Sequence, residues 1–142
     1  MTRTLALMTI LLLPVLLVGN QNKPALKDTF KDSFKIGVAI NQKQFSEQDP
    51  RGIPIITSQF NSVSPENVLK WESVHPQPGK YDFAGPDQFV AFGEKYHMFI
   101  IGHTLIWHNQ TPRWVFQDDK GNPVDRETFL ARMRGHIQTV VG

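Results

Sequence analysis

Hydrophobic and polar positions set out a strand–helix alternation along most of this chain. From Phe34 to Ile40, large apolar residues alternate with Lys35, Gly37 and Ala39, the period of two that marks a strand. The small residues on its second face suit a crowded interior, as inside a barrel. Phe60–Val63 is a second, shorter strand candidate, after which Ser64 is placed to cap a helical turn with Pro65 at its first position. Met98–Ile101 is a third apolar run, read as a buried strand. Between these runs, Phe89, Val90, Phe92 and Tyr96 recur at helical spacing within Asp87–Tyr96. A last helix, capped by Asp125, carries Phe129, Leu130, Met133, Ile137, Val140 and Val141 on one face. Asn41–Pro50 reads as a polar connection, His75–Lys80 as a loop and Lys120–Pro123 as a turn.

Three strands separated by helical segments predict right-handed strand–helix–strand units and a parallel sheet. Such sheets are normally covered on both faces. Three units make an incomplete sheet with open edges, which is a liability in isolation. No internal repeat is visible. The pattern predicts the front of something larger.

The first residues follow a different logic. Arg3 precedes an apolar stretch, Leu5–Val18, broken only by Thr9 and Pro14. That stretch is short of the roughly 20 residues a membrane helix needs, and residues 1–19 read as a secretory signal peptide. The expectation is a secreted or periplasmic protein without stable membrane association after cleavage. Residues 20–27 read as a polar linker. The 142 residues suit one domain, and 40% hydrophobic with 20% charged residues is the composition of a globular one. A formal charge of +2 without a clustered basic stripe argues against nucleic acid as a partner. There is no cysteine, so neither disulfides nor cysteine lipidation can follow export.

The densest chemistry is Gly102–Trp114, directly after the third strand, where two histidines, two tryptophans, Asn109, Gln110 and Arg113 crowd together. Function in strand–helix folds gathers at such strand ends. Flat rings with one polar edge suit a ligand that is both flat and hydroxylated, such as a sugar. Glu66, Asn67 and Lys70 follow the second strand, with Glu66 and Lys70 on one face of a turn. Alone they would be a surface ion pair and a capping amide, worth under about 1 kcal/mol. They could equally hydrogen-bond vicinal hydroxyls. Taken singly, His103 and Trp107 read as core residues; together with Gln110 and Trp114 they favour a ligand site. A metallohydrolase is the sharper rival, but His103 and His108 are five apart, not four, with no carboxylate between them, so no metal is expected. There is no Gly-x-Ser-x-Gly elbow and no phosphate-binding glycine loop. Retaining glycoside hydrolysis wants two carboxylates about 5 Å apart. Glu66 and Glu72 are of the right type but lack an evident acidic partner, and Asp118 and Asp119 read as a solvated turn.

Segments Ser64–Trp71, Pro76–Phe83 and Gly102–Trp114 closely resemble the glycoside hydrolase family 10 endo-1,4-β-xylanases, and the resemblance runs from about Lys27 to the last residue. It implies a (β/α)8 TIM barrel that cleaves xylan with retention of configuration, using two glutamates and neither metal nor cofactor. By that resemblance, Glu66, Asn67 and Lys70 match contacts to sugars on the non-reducing side of the scissile bond. His103 and Trp107 match the pocket around the sugar whose bond is cut, and Gln110 a contact one sugar further out. The family's acid/base glutamate follows the fourth strand, in a Trp-Asp-Val-Val-Asn-Glu-like motif, and its nucleophile follows the seventh. Residues 28–142 are therefore expected to form about three βα units of a barrel that takes roughly 250 residues, truncated before the fourth strand. The fragment is expected to lack both catalytic glutamates and to be inactive alone. The alternative is a non-catalytic xylan-binding remnant.

Overall fold

A computed structural model describes residues 23–142; the expected leader and the first residues of the expected linker lie outside the described residues. Three parallel strands form one sheet in the order β1–β2–β3: β1 is Gly37–Ile40, β2 is Ser62–Pro65 and β3 is Phe99–Ile100. The register sets Val38 beside Val63 and Val63 beside Ile100. Helices α1 (Leu26–Thr29), α2 (Gln42–Phe45), α3 (Gly52–Gln59), α4 (Trp71–Val74), α5 (Ala84–Lys95) and α6 (Arg126–Val141) complete the order. Leu26 and Lys27, at the end of the expected linker, dock on α3: Leu26 N donates to Gln59 Oε1 at 3.0 Å and Lys27 Nζ to the Thr57 carbonyl at 2.6 Å.

The strand alternation produces the core. Ile40, Val63 and Met98 meet Phe45 of α2, Ile56 of α3 and Phe89 and Phe92 of α5 on the helix-covered face. Each large side chain fully buried in this way contributes about 1.5–3 kcal/mol. Helix α5 comes unusually close to the sheet at Gly93: a Cβ there would stand 2.5 Å from Ile100 Cγ1. On the opposite face of β1, Gly37 and Ala39 remain exposed.

Several elements differ from expectation. The Ser64 cap with Pro65 opening a helix is not found. Both residues extend β2, where Pro65 pairs with Ile40 and ends the strand, so its missing N–H interrupts no longer ladder. Helix α2 arises inside the segment read as a connection, because Asn41 and Gln44 form a capping box. Helix α3 was hidden by β-branched residues and Pro54, which sits in its first turn where proline is tolerated. Asp125 does cap α6, accepting from Thr128 N at 2.7 Å. The turn before it is tied by Asp118 Oδ1, which accepts from Lys120 N and Asn122 N, with Gly121 supplying a φ of +83°. The Asn122 side-chain amide, followed by these backbone donors, holds the Asp118 carboxyl below the usual carboxylate range.

Candidate functional site

Parallel strands all end on the same side, so the residues following β2 and β3 emerge as neighbours. Glu66–Lys70 leave β2 in a tight turn, and Lys70 serves as the N-terminal boundary of α4. Residues 101–112 leave β3 as an irregular loop that returns over this turn; within it the His103–Thr104 peptide bond is cis.

Lys70 is the hub. Its ammonium donates to Asn67 Oδ1 at 2.8 Å and to Gln110 Oε1, and it stands 5.1 Å from the ring centre of Trp107. Gln110 Nε2 approaches Asn67 Oδ1 at 3.5 Å and donates to Glu72 Oε1 at 3.0 Å. His103 lies beside Trp107 with ring centres 6.4 Å apart. The structure thus brings Asn67, Lys70, Trp107 and Gln110 into one cluster, with His103 against Trp107. The surface ion pair between Glu66 and Lys70 is not among the salt bridges of the described residues: Lys70 turns to the amides instead. Glu66 is exposed at the mouth of the turn. An apolar hollow of about 430 Å³ adjoins the cluster, walled by Trp71, Trp107, His108, Phe116 and Phe129.

Beneath Lys70 lies an aromatic floor that the sequence did not announce. The buried Trp71 ring stacks on His136 of α6, with ring centres 3.9 Å apart and planes within 6°. His75 continues the stack, its Nδ1 3.4 Å from His136 Nδ1 and its other face against Tyr81. Trp114 closes the group, its Nε1 donating to the Pro76 carbonyl at 3.1 Å. Arg132 covers Trp114 from α6 and donates to its carbonyl. Burial pushes the His136 imidazole down to about 4, helped by the neighbouring His75 and opposed by a backbone hydrogen bond at Leu105. Burial also lowers His75. Both imidazoles are therefore neutral stacking elements near pH 7. Only the spacing of His136 on the apolar side of a helix could have signalled its burial.

The family described as Glycosyl hydrolase family 10 matches residues 25–142. The chain belongs to this family. It is 42% identical over 132 residues to endo-1,4-beta-xylanase A of Xylanibacter ruminicola, covering 93% of this chain and 36% of that protein. A match of 44% identity to endo-1,4-beta-xylanase A of Thermotoga maritima covers 84% of this chain and 11% of that protein. The crystal structure of an endo-1,4-beta-xylanase from Caldicellulosiruptor owensensis superposes with a TM-score of 0.74 at 42% identity, over 83% of this chain and 35% of that one. A GH10 endoxylanase from a sugarcane soil metagenome gives 0.78 at 37% identity, over 84% and 36%. The chain thus spans about a third or less of the length of these relatives. Its sheet and helices are the N-terminal part of the family 10 TIM barrel, and the Lys70 cluster lies on the strand-end side where such barrels carry their sites.

Proposed function

We propose that this chain is the N-terminal portion of an exported endo-1,4-β-xylanase, and that it forms the wall of the subsites on the non-reducing side of the scissile bond. The observation that carries this reading is the convergence of Lys70 on Asn67 and Gln110 beside the Trp107 ring. An ammonium and two amides within hydrogen-bond reach of one another suit vicinal ring hydroxyls, and an indole face suits the C–H face of a xylose. A similar solved structure, 39% identical, is a complex with xylotriose, which agrees with a xylo-oligosaccharide as ligand. In this reading Lys70, Asn67 and Glu66 hold sugar hydroxyls, His103 and Trp107 enclose the ring whose bond is cut, and Gln110 reaches one sugar further out.

Hydrolysis itself would fall to two glutamates on later strands of the barrel. One protonates the leaving oxygen while the other attacks the anomeric carbon, and the first then draws a proton from water to release the sugar. The groups described here bind and orient; they do not transfer the proton. The 142-residue chain made alone should therefore release no reducing sugar from xylan, whereas a protein extending it through the remaining strands should. Reducing-sugar release by the purified 142-residue chain would overturn this division of labour. In the extended protein, Lys70→Met should cut kcat/KM on xylan by about tenfold or more, since a charged hydrogen bond contributes about 1.5–3 kcal/mol.

A further inference from the structure

We infer that Glu72, which neither the family resemblance nor the strand-end pattern selects, is the positioning residue that fixes which way the Gln110 amide faces. The inference rests on the reading of this cluster as a sugar subsite.

Glu72 grips Gln110 twice. Its backbone N–H donates to the Gln110 carbonyl at 3.0 Å, and its Oε1 accepts from Gln110 Nε2 at 3.0 Å. The Gln110 backbone sits at a φ of +52°, a left-handed conformation uncommon for a residue with a side chain, and the backbone bond from Glu72 helps to hold it there. The side-chain contact carries direction. An amide has two nearly isosteric ends, one donating and one accepting, whereas a carboxylate only accepts. With Glu72 on one side, the nitrogen of Gln110 must face it. The oxygen must then face Lys70, where it receives the ammonium. Lys70 in turn donates to Asn67 Oδ1, so Nδ2 is the end of that amide left to donate elsewhere. The order carboxylate, amide, ammonium, amide has one consistent assignment of donors and acceptors. Without the carboxylate, the Lys70 ammonium and Asn67 Oδ1 alone select this orientation of Gln110, and the turned-over amide becomes more accessible. Glu72 is exposed, and its side-chain hydrogen bond goes to Gln110, through which it acts.

The isosteric change Glu72→Gln tests this, since glutamine accepts or donates equally well and removes the bias without removing bulk. In the full-length hydrolase, E72Q should lower kcat/KM for 4-nitrophenyl β-xylobioside, which reaches the Gln110 subsite, about tenfold more than for 4-nitrophenyl β-xyloside, which does not. Glu72→Asp should recover part of that ratio. In a Gln110→Ala background E72Q should have no further effect. An equal loss on both substrates, or additive losses, would overturn the inference. A second readout is independent of hydrolysis. The side-chain ¹⁵N–H₂ resonance of Gln110, assigned by its loss in Gln110→Leu, should move in E72Q and return towards its original position in E72D. An unmoved resonance overturns the inference even if the protein cleaves xylan. Failure of the parent protein to cleave xylan overturns the subsite reading instead, and the resonance then decides the positioning role alone.

Discussion

At the scale of single residues, the most telling group is the buried imidazole pair. His136 is held down to about 4 and His75 is lowered, both chiefly by burial, so the folded protein keeps them neutral while unfolded imidazoles protonate near 6.5. Below that value the unfolded chain takes up protons that the folded one refuses. The His136 contribution is therefore fully present above about pH 6.5 and is lost as pH falls towards 4, at up to about 1.4 kcal/mol per pH unit, and His75 acts in the same direction. Urea midpoints between pH 7.5 and 4.5 should fall accordingly, and His136→Phe, which keeps a ring on Trp71, should remove much of the slope. A flat wild-type profile would contradict the neutral stack. Residues such as Lys70, Trp107 and Gln110 were legible from the sequence because their types are conspicuous at a strand end. His136 and Glu72 were not. His136 carries only its spacing on the apolar side of α6, a glutamate after a tryptophan carries no local signal, and each acquires its role from a partner distant in sequence.

Among elements, α5 shows where periodicity succeeds and where it stops. The sequence pattern placed Phe89 and Phe92 inward, as observed, but it also counted Val90, which is exposed. It did not foresee that Gly93 packs directly on Ile100 of the sheet. Gly93→Ala would improve helix propensity by about 1 kcal/mol, yet its methyl would press on Ile100 Cγ1 and Cδ1 and cost about 1–3 kcal/mol. The expected outcome is a net loss near 1 kcal/mol, read as a lowered Tm; a raised Tm would mean that Ile100 yields freely. At the other end of the chain, Asp125→Ala should cost α6 about 1 kcal/mol through its lost cap, again measurable by thermal melting. The short helices α2 and α4 escaped sequence reading for a simple reason. Four residues make barely one turn, too few for a repeat of 3.6 to show.

For the whole molecule, the parallel sheet was legible because three apolar runs alternate with helical segments, and that order admits few topologies. Its completion was not legible from pattern alone; it came from the family. Among the described residues β1 and β3 each have one paired edge, and Phe99, Ile101, Ile106 and Phe116 are exposed. Unpaired edges next to apolar side chains invite association. Made alone, the 142-residue chain should bind a hydrophobic dye such as ANS and sediment as more than a monomer; a dye-silent monomer would show that these surfaces are tolerated in water. The stack of Trp71 on His136 has a consequence in time. The nearest comparable contact, His75 to His136, closes a separation of 61 residues. Loops of that length close late, after local helices and neighbouring strands have formed. A growing chain emerging from the ribosome must therefore expose α6 before the floor under Lys70 exists. The Lys70 cluster would be among the last parts of this region to settle, although its residues are synthesised well before α6.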